Sequence, residues 1–187
     1  MKALLHHYEN LAIKQSDLNK IMTGHELLHF SKNDFLLRKD EKAHEYYILE
    51  SGLIRSFIHD YNGNEITTDF FGDHDVVIEV TSLFLQFPSP ENLQCLTDCS
   101  VWKIDFNTFQ SLYHTIPAFN EWGRSWMTYA LHINKKRFID MVSLSATERY
   151  HNLISTKPQI IKQAALKYIA SYLGITDTSL SRIRKEI

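Results

Sequence analysis

The chain has 187 residues, of which 44% are hydrophobic, and it carries 20 basic and 22 acidic side chains. This length suits one or two domains with a real hydrophobic core, so the composition excludes a disordered chain. No apolar run approaches the ~18 residues needed to span a bilayer, and the N-terminus lacks the apolar region of a signal peptide, so we expect a soluble cytoplasmic protein.

The first half of the chain predicts a β-rich domain behind a helical lead. Residues 1–20 place apolar side chains at roughly helical spacing, which indicates a short helical lead. From residue 26 to about 105 short β-prone segments alternate with turn signals. The clearest segments are 35–38, 46–51, 52–59, 65–71, 92–96 and 101–104. Asn62-Gly63 marks a hairpin turn, and strands of this spacing predict an antiparallel sandwich or jelly roll.

Helical periodicity returns after residue 106. A brief helix over 107–114 leads to Pro117, a favoured residue of a first helical turn, and a long helix follows over 117–142. Apolar side chains recur on two faces of this helix, so one face can cover the roll and the other a partner. We therefore predict that the helix dimerises the protein. The alternative is a helix that packs wholly within one subunit.

A further helix is predicted after the long one. Ser145 followed by Glu148 is a capping-box pattern, in which each residue hydrogen-bonds to the backbone of the other. It opens a helix over 146–155. Residues 159–163 then connect this helix to the last segment of the chain.

The last segment predicts two short helices joined by a tight turn. The first has an apolar stripe that includes the small residue Ala170, and Gly174 ends it because glycine adopts a left-handed conformation readily. Thr176 is a preferred N-cap for the second helix, whose Leu180 and Ile183 face the core. This is the pattern of a helix-turn-helix, in which the second helix lies in the major groove of DNA.

Charge is distributed unevenly along the chain. Residues 1–134 hold 10 basic and 18 acidic side chains, a net charge of −8, whereas residues 135–187 hold 10 and 4, a net charge of +6. A basic end on an acidic body indicates an electrostatic footprint for nucleic-acid phosphates that is confined to the C-terminal part.

A β-roll, a long helix, a capped helix and a helix-turn-helix follow one another in an order that resembles the Crp/Fnr family of bacterial transcription regulators. The most specific segments are residues 144–150 and 168–185, and the run 70–73 resembles the entry into the family's ligand cassette. The chain is similar to a short branch that ends just after the recognition helix. The resemblance implies an α+β fold with an effector-sensing double-stranded β-helix (jelly roll), a dimerisation helix and a helix-turn-helix domain, over residues 1–116, 117–143 and 144–187.

The resemblance also implies a homodimer that binds double-stranded DNA at two half-sites of a pseudo-palindrome about 34 Å apart, with RNA polymerase as a candidate partner. Arg182 is the best candidate for a bidentate contact to guanine. Asp177 accepts from a cytosine amino group or caps the helix, and we favour the cap. The implied base-reading residues are Asp177, Thr178 and Arg182, with Ser181 close by, and the implied phosphate contacts are Thr176, Ser179, Arg184 and Lys185.

The cassette departs from the pattern that binds cyclic nucleotides. The family's Arg-Ser or Arg-Ala pair holds the cyclic phosphate, but no arginine occurs between Arg55 and Arg124. Burying a phosphodiester without a cation is expensive, so we predict that cyclic AMP is not the effector. Another small molecule, or none, then occupies the roll. The matching candidate ligand residues are Gly72, Asp73, Glu79, Ser89, Pro90 and Asn92.

Other chemistry finds little support. Cys95 and Cys99 are too few for a typical zinc or iron–sulfur site, and we interpret them as buried thiols. The ten histidines do not show the spacing of metal ligands. We therefore expect neither a metal nor another cofactor. A cupin-like enzyme would need His-x-His, which is absent from residues 26–105. No catalytic constellation occurs, and we expect no enzyme. A sensor or scaffold that has lost DNA binding remains the alternative, because of the acidic Asp177 and the lack of a C-terminal wing.

Overall fold

The computed structural model describes residues 1–186. The helices within them are α1 (Lys2–Tyr8), α2 (Gln15–Thr23), α3 (Val80–Leu85), α4 (Phe106–Thr115), α5 (Pro117–Ser143), α6 (Ala146–Thr156), α7 (Pro158–Gln163), α8 (Leu166–Tyr172) and α9 (Asp177–Lys185). The strands are β1 (Glu26–Phe30), β2 (Phe35–Leu37), β3 (Glu45–Ser51), β4 (Ile54–His59), β5 (Glu65–Phe71), β6 (Val76–Val77), β7 (Asn92–Cys95) and β8 (Cys99–Asp105).

The strands form two four-stranded antiparallel sheets, with the orders β1-β8-β3-β6 and β2-β7-β4-β5. The predicted sandwich is therefore confirmed. The turn between β4 and β5 contains the Asn62-Gly63 pair, with Gly63 at φ 83°. The Asp60 carboxylate accepts the N–H of Asn62 at 2.8 Å and thereby closes this turn. Strand β5 lies at the edge of its sheet, so its outer side has no strand partner.

The main hydrophobic core lies between the two sheets and extends beneath α1, α4 and the start of α5. Cys95 and Cys99 belong to this core as free thiols, which confirms their prediction as buried cysteines. Tyr8 of α1 and Phe119 of α5 are fully buried, and their rings contact each other at 5.8 Å between centroids with their planes tilted by 51°. The roll thus buries its N-terminal helix and the root of the long helix in one core.

Three helical predictions need correction. The lead over 1–20 is two helices, α1 and α2, because residues 9–14 between them form a turn rather than a helix. Helix α3 lies in the cassette, where no element was predicted, and Glu79 caps it by accepting the N–H of Thr81. The predicted connector over 159–163 is part of α7, which Pro158 starts at its first position and Ile160 anchors in the core.

His25 is a buried neutral side chain, and we expect it to make the protein acid-sensitive. Its Nδ1 lies 2.8 Å from the carbonyl oxygen of Ile21, and burial lowers its pKa to about 4. Between pH 6.5 and about 4 the unfolded chain binds a proton at this site that the folded chain does not. The free energy of unfolding should therefore fall by roughly 3 kcal/mol across this window, and the effect should vanish above pH 6.5.

Urea unfolding of the His25→Gln variant at pH 7.5, 5.5 and 4.5 measures this effect. We expect the variant to lose less stability on acidification than the wild-type chain. His29→Gln, at an exposed position of β1, is the matched control and should keep the wild-type slope. Equal slopes for all three chains would contradict the assignment of this effect to His25.

Helix α5 leaves the roll and presents apolar side chains to solvent. Phe119 and Gly123 are buried at its root, where an added Cβ at Gly123 would meet the Tyr113 ring at 3.0 Å. Further along, Leu131 is 71% and Phe138 69% exposed. Within the described residues these side chains are not covered by the rest of the subunit, so the dimerisation of α5 stays a prediction. Among the described residues, no helix is both long and apolar enough to cross a membrane.

Candidate nucleic-acid interface

The last two helices have the local geometry that the sequence predicts. Gly174 adopts φ 67°, and the N–H of Ile175 donates to the carbonyl of Ala170 at 3.0 Å, which ends α8. The Thr176 hydroxyl accepts the N–H of Ser179 at 3.2 Å and caps α9. The left-handed glycine and the Thr176 cap are thus both confirmed.

Helix α9 has one buried side and one polar side. Leu180 is fully buried and Ile183 is 8% exposed, and both pack against α8. Asp177 lies in the first turn, where a carboxylate is favoured by the helix dipole, but the capping hydrogen bond comes from Thr176. Ser179 is half-buried. The other predicted contact residues are exposed: Thr176, Asp177, Thr178, Ser181, Arg182, Arg184 and Lys185.

The polar side of α9 carries cations that are not engaged within the chain. Among residues 1–186, no ion pair involves Arg182, Arg184 or Lys185. Their charges are therefore available to an external anion. Because phosphates supply the sequence-independent part of DNA affinity, this face has the electrostatic properties that binding to a duplex requires.

The C-terminal helices pack on the open edge of β5. The Thr67 N–H donates to Ser171 Oγ of α8 at 3.2 Å. Lys157 Nζ donates to the Phe70 carbonyl at 2.7 Å, and Arg137 of α5 donates to the Thr68 carbonyl. These side chains satisfy backbone groups that an edge strand would otherwise leave unpaired. Beneath them lies a second hydrophobic core, to which the roll contributes Leu53, Phe70 and Leu96.

Arg55 of β4 is the central polar residue of this junction. It is 1% exposed, and its guanidinium lies 3.6 Å from the ring of Tyr168 in α8 and 4.0 Å from the ring of Phe57. Its Nη2 donates to Glu65 at 2.6 Å and to Gln94 at 2.8 Å. Sequence reasoning missed this role. The available signal was an arginine near the start of a predicted strand, next to the apolar Ile54 and two residues before Phe57.

Replacing Arg55 by alanine should lower the free energy of unfolding by about 3 kcal/mol, because it removes two aromatic stacks and a buried charge partner. Urea unfolding at pH 7.5 measures the change. Arg38→Ala is the matched control, since the exposed Arg38 stacks on Phe35 at 3.9 Å and should cost about 1 kcal/mol or less. Similar losses for both variants would contradict a structural role for Arg55.

Two of the six predicted ligand residues lie outside the roll interior. Gly72 follows β5 and faces α7, so closely that an added Cβ would meet the Gln159 side chain at 1.4 Å. The Asp73 carboxylate accepts the Gly52 N–H at 3.0 Å. These residues therefore belong to the junction between the roll and the C-terminal helices.

The other four predicted ligand residues lie between residues 79 and 92, at the N-cap of helix α3 and after it, and three of them are buried. Glu79 caps α3 and is 8% exposed. The Ser89 hydroxyl donates to a backbone carbonyl two residues on at 2.7 Å, and Asn92 Oδ1 accepts a backbone N–H from the loop after β2 at 3.0 Å. Pro90 is exposed. The buried three hold the cassette loops, and the structure does not bring all six residues together around one cavity.

The cavity between the sheets is small and acidic. Its volume is about 120 Å³, below the several hundred Å³ of ordinary ligand pockets. Three carboxylates, from Glu41, Glu45 and Glu79, line it together with a single cation, Lys42. Arg55 lies on the outer side of the roll and cannot serve a phosphate here. This arrangement does not suit an anionic cyclic nucleotide.

A larger cavity of about 440 Å³ lies where α5 leaves the roll, between α3 and α4. Among the described residues, no charged side chain lines it. Its walls are mainly aromatic and aliphatic and include Phe84, Phe109, Tyr113, Trp122 and Trp126. A space of this kind suits an uncharged apolar molecule better than a phosphate.

Known proteins agree with this architecture. Residues 27–115 match the family model of the cyclic nucleotide-binding domain, so the roll is similar to domains of that class. The whole chain has the fold of Crp/Fnr regulators, which confirms the resemblance drawn from the sequence. No curated protein matches the chain in sequence.

Three solved structures illustrate the shared fold. The c-di-GMP-responsive regulator CLP of Xanthomonas campestris has a TM-score of 0.71 at 15% identity, over 92% of this chain and 91% of its own. FixK2 of Bradyrhizobium japonicum has a TM-score of 0.71 at 17% identity, over 87% and 83%. A Crp/Fnr-family regulator of Eubacterium rectale has a TM-score of 0.70 at 15% identity, over 93% and 83%.

Proposed function

We propose that this protein is a homodimeric transcription regulator of the Crp/Fnr type that binds DNA in the cytoplasm and catalyses no reaction. The observation that carries the proposal is the exposed polar face of α9, with three cations that form no ion pair within residues 1–186, on a helix capped by Thr176. The division into a sensing roll, a dimerisation helix and a DNA-binding domain, over 1–116, 117–143 and 144–187, is part of the same proposal.

The contacts to DNA follow from the position of each side chain on α9. Arg182 reads guanine through a bidentate contact, with Thr178 and Ser181 beside it on the exposed side. Arg184 and Lys185, near the C-terminal end, bind phosphates, together with Thr176 and Ser179 at the cap. Two copies held by α5 would place two such helices on neighbouring major-groove segments.

The effector of the roll is not cyclic AMP. The acidic cavity between the sheets, of about 120 Å³ and without an arginine, supports this part of the proposal. Calorimetric titration of the purified protein with cyclic AMP is expected to give no binding. A dissociation constant in the micromolar range would contradict the proposal and would assign a phosphate-binding role to Lys42.

Selection of binding sites from random duplexes tests the central claim. We expect a pseudo-palindrome with half-sites about one helical turn apart, and an affinity that falls steeply between 50 and 200 mM salt. No sequence preference at low salt would reject the regulator. It would favour the alternative, a sensor or scaffold of the same fold, for which the acidic Asp177 on the exposed side of α9 is the supporting observation.

A further inference from the structure

Three helices form the aromatic walls of the cavity beside the root of α5. Helix α3 contributes Phe84, α4 contributes Phe109 and Tyr113, and α5 contributes Trp122 and Trp126. The rings of Phe84 and Phe109 meet edge to face at 5.9 Å between centroids, so α3 and α4 form one continuous wall. The volume of about 440 Å³ lies within the range of sites that hold small organic molecules.

Gly123 keeps the α5 side of this cavity open. It is buried and lines the cavity, and an added Cβ would meet the Tyr113 ring at 3.0 Å. Glycine weakens the interior of a helix relative to alanine, so its place here has a steric reason. A side chain at this position would narrow the space between α4 and α5.

Two of the three tryptophans of the chain lie in the walls of this one cavity, and their indole N–H groups are not engaged. Within residues 1–186, no acceptor receives the N–H of Trp122 or Trp126, whereas the N–H of Trp102 donates to Glu50 at 2.7 Å. An indole offers a donor and no acceptor. A molecule in the cavity can therefore gain a hydrogen bond only if it brings an acceptor to these groups.

Three polar side chains, those of Thr81, Gln110 and Tyr113, interrupt the apolar walls. Thr81 is exposed and the other two are half-buried, so they lie toward the opening. Thr81 and Tyr113 form hydrogen bonds within residues 1–186 only through their backbone atoms. A few polar groups in an otherwise apolar pocket fix the orientation of a ligand. Because none of the described lining residues is charged, an ionised ligand would enter without a counter-ion.

We propose that this cavity binds an uncharged aromatic molecule that carries a carbonyl oxygen. The aromatic body packs against the rings of α3, α4 and α5, and the oxygen accepts an indole N–H from α5. The site shares no lining residue with the acidic cavity between the sheets. That such a molecule is the effector of the regulator rests on the function proposed above, whereas its binding to the cavity does not.

Titration with coumarin, an uncharged bicyclic aromatic lactone, tests the proposal on the full-length chain. The tryptophan side chains are isotopically labelled, and NMR follows their indole N–H signals. We expect the signal of Trp122 or Trp126 to move to lower field as its N–H gains an acceptor, and to saturate with a dissociation constant of about 0.1–1 mM. The signal of Trp102 should stay in place, because its N–H already donates to Glu50.

Replacing the responding tryptophan by phenylalanine separates the carbonyl from the aromatic body. The variant keeps an aromatic wall and loses the N–H, so its affinity for coumarin should fall about tenfold. Indole, a bicyclic aromatic compound of similar size without an acceptor oxygen, should bind the wild-type chain and the variant within about threefold of each other. Trp102→Phe is the matched control and should leave both affinities unchanged.

Filling the cavity from the side of α3 tests its location. Val80 is half-buried in the wall, and Val80→Phe should weaken coumarin binding at least about tenfold. A melting curve followed by circular dichroism checks that this variant is folded. Val142→Phe makes the same substitution at a side chain that is 71% exposed and lies outside the cavity, and it should bind coumarin as the wild-type chain does.

Each contrary result has a distinct meaning. The absence of saturable shifts up to about 10 mM coumarin, or wild-type binding by folded Val80→Phe, would overturn the site. Shifts that follow the protein concentration rather than that of coumarin would assign the cavity to a second copy and overturn the small-molecule ligand. Equal losses of coumarin and indole in the tryptophan variant would overturn the role of the carbonyl. No DNA is present in these measurements, so a failed operator selection would reject the regulator and leave this site standing.

Discussion

The double variant Leu131→Glu, Phe138→Glu should be a monomer that no longer binds its operator. Both side chains are mostly exposed in the single chain, so the folded protomer should remain stable. In a dimer they would be buried, and each is worth about 1.5–3 kcal/mol. Placing charges there should weaken self-association at least about 100-fold, as measured by sedimentation equilibrium.

Loss of the dimer should also remove most of the DNA affinity. A dimer engages two half-sites with one binding event, whereas a monomer gains no such effective concentration. Tyr129→Glu is a control for placing a carboxylate on α5: its side chain is 63% exposed and lies on a different face of the helix from Leu131 and Phe138. If Tyr129→Glu dissociates the protein and the double variant does not, the dimer uses another face of α5.

Arg182→Ala should weaken binding to the selected operator by about 1–3 kcal/mol for each half-site and relax the preference at one base pair. The arginine is exposed and unpaired within the described chain, so its removal should leave the protein folded. Fluorescence anisotropy with the operator and with single-base variants measures both effects. Lys185→Ala should instead weaken all duplexes equally and make the salt dependence shallower.

Arg38→Ala is again the control, because it removes one positive charge from the roll and leaves the C-terminal helices untouched. Its operator affinity should match that of the wild-type chain. An Arg182→Ala variant with wild-type affinity and base preference would show that α9 does not read DNA through this side chain. The proposal of a DNA-binding regulator would then require that another face of the α8–α9 pair contacts the bases.

The roll contains two cavities that suit different ligands: the acidic one between the sheets does not suit an anion, whereas the larger one beside α5 suits an uncharged apolar molecule. In a cyclic nucleotide-binding roll the ligand's charge must be matched inside the protein, and here the interior offers glutamates. The cavity beside α5 has about 440 Å³ and no charged side chain among the described residues. A ligand bound there would contact the root of α5 directly, through Trp122 and Trp126.

Much of the architecture could be predicted from local sequence. The Ser145–Glu148 capping box, the Thr176 cap and the left-handed Gly174 all occur as predicted. Each depends on groups three to five residues apart, whose geometry is the same in almost any tertiary setting. The long helix and the roll followed from periodicity, because the period of buried side chains reports the type of secondary structure. The proposed division of function along the chain rests partly on the uneven distribution of net charge.

The junction between the roll and the C-terminal helices was decided only by the tertiary structure. The Thr67–Ser171 contact joins residues 104 positions apart, and Arg55 meets Tyr168 across a similar separation. No periodicity reports which strand edge is open or which helix covers it. The same limit explains why the sequence predicts one pocket for six residues that the structure separates. They are close along the chain, but Gly72 lies against Gln159 of α7 whereas Glu79 caps α3. Pairing across the fold depends on the burial of whole surfaces, which a local pattern does not encode.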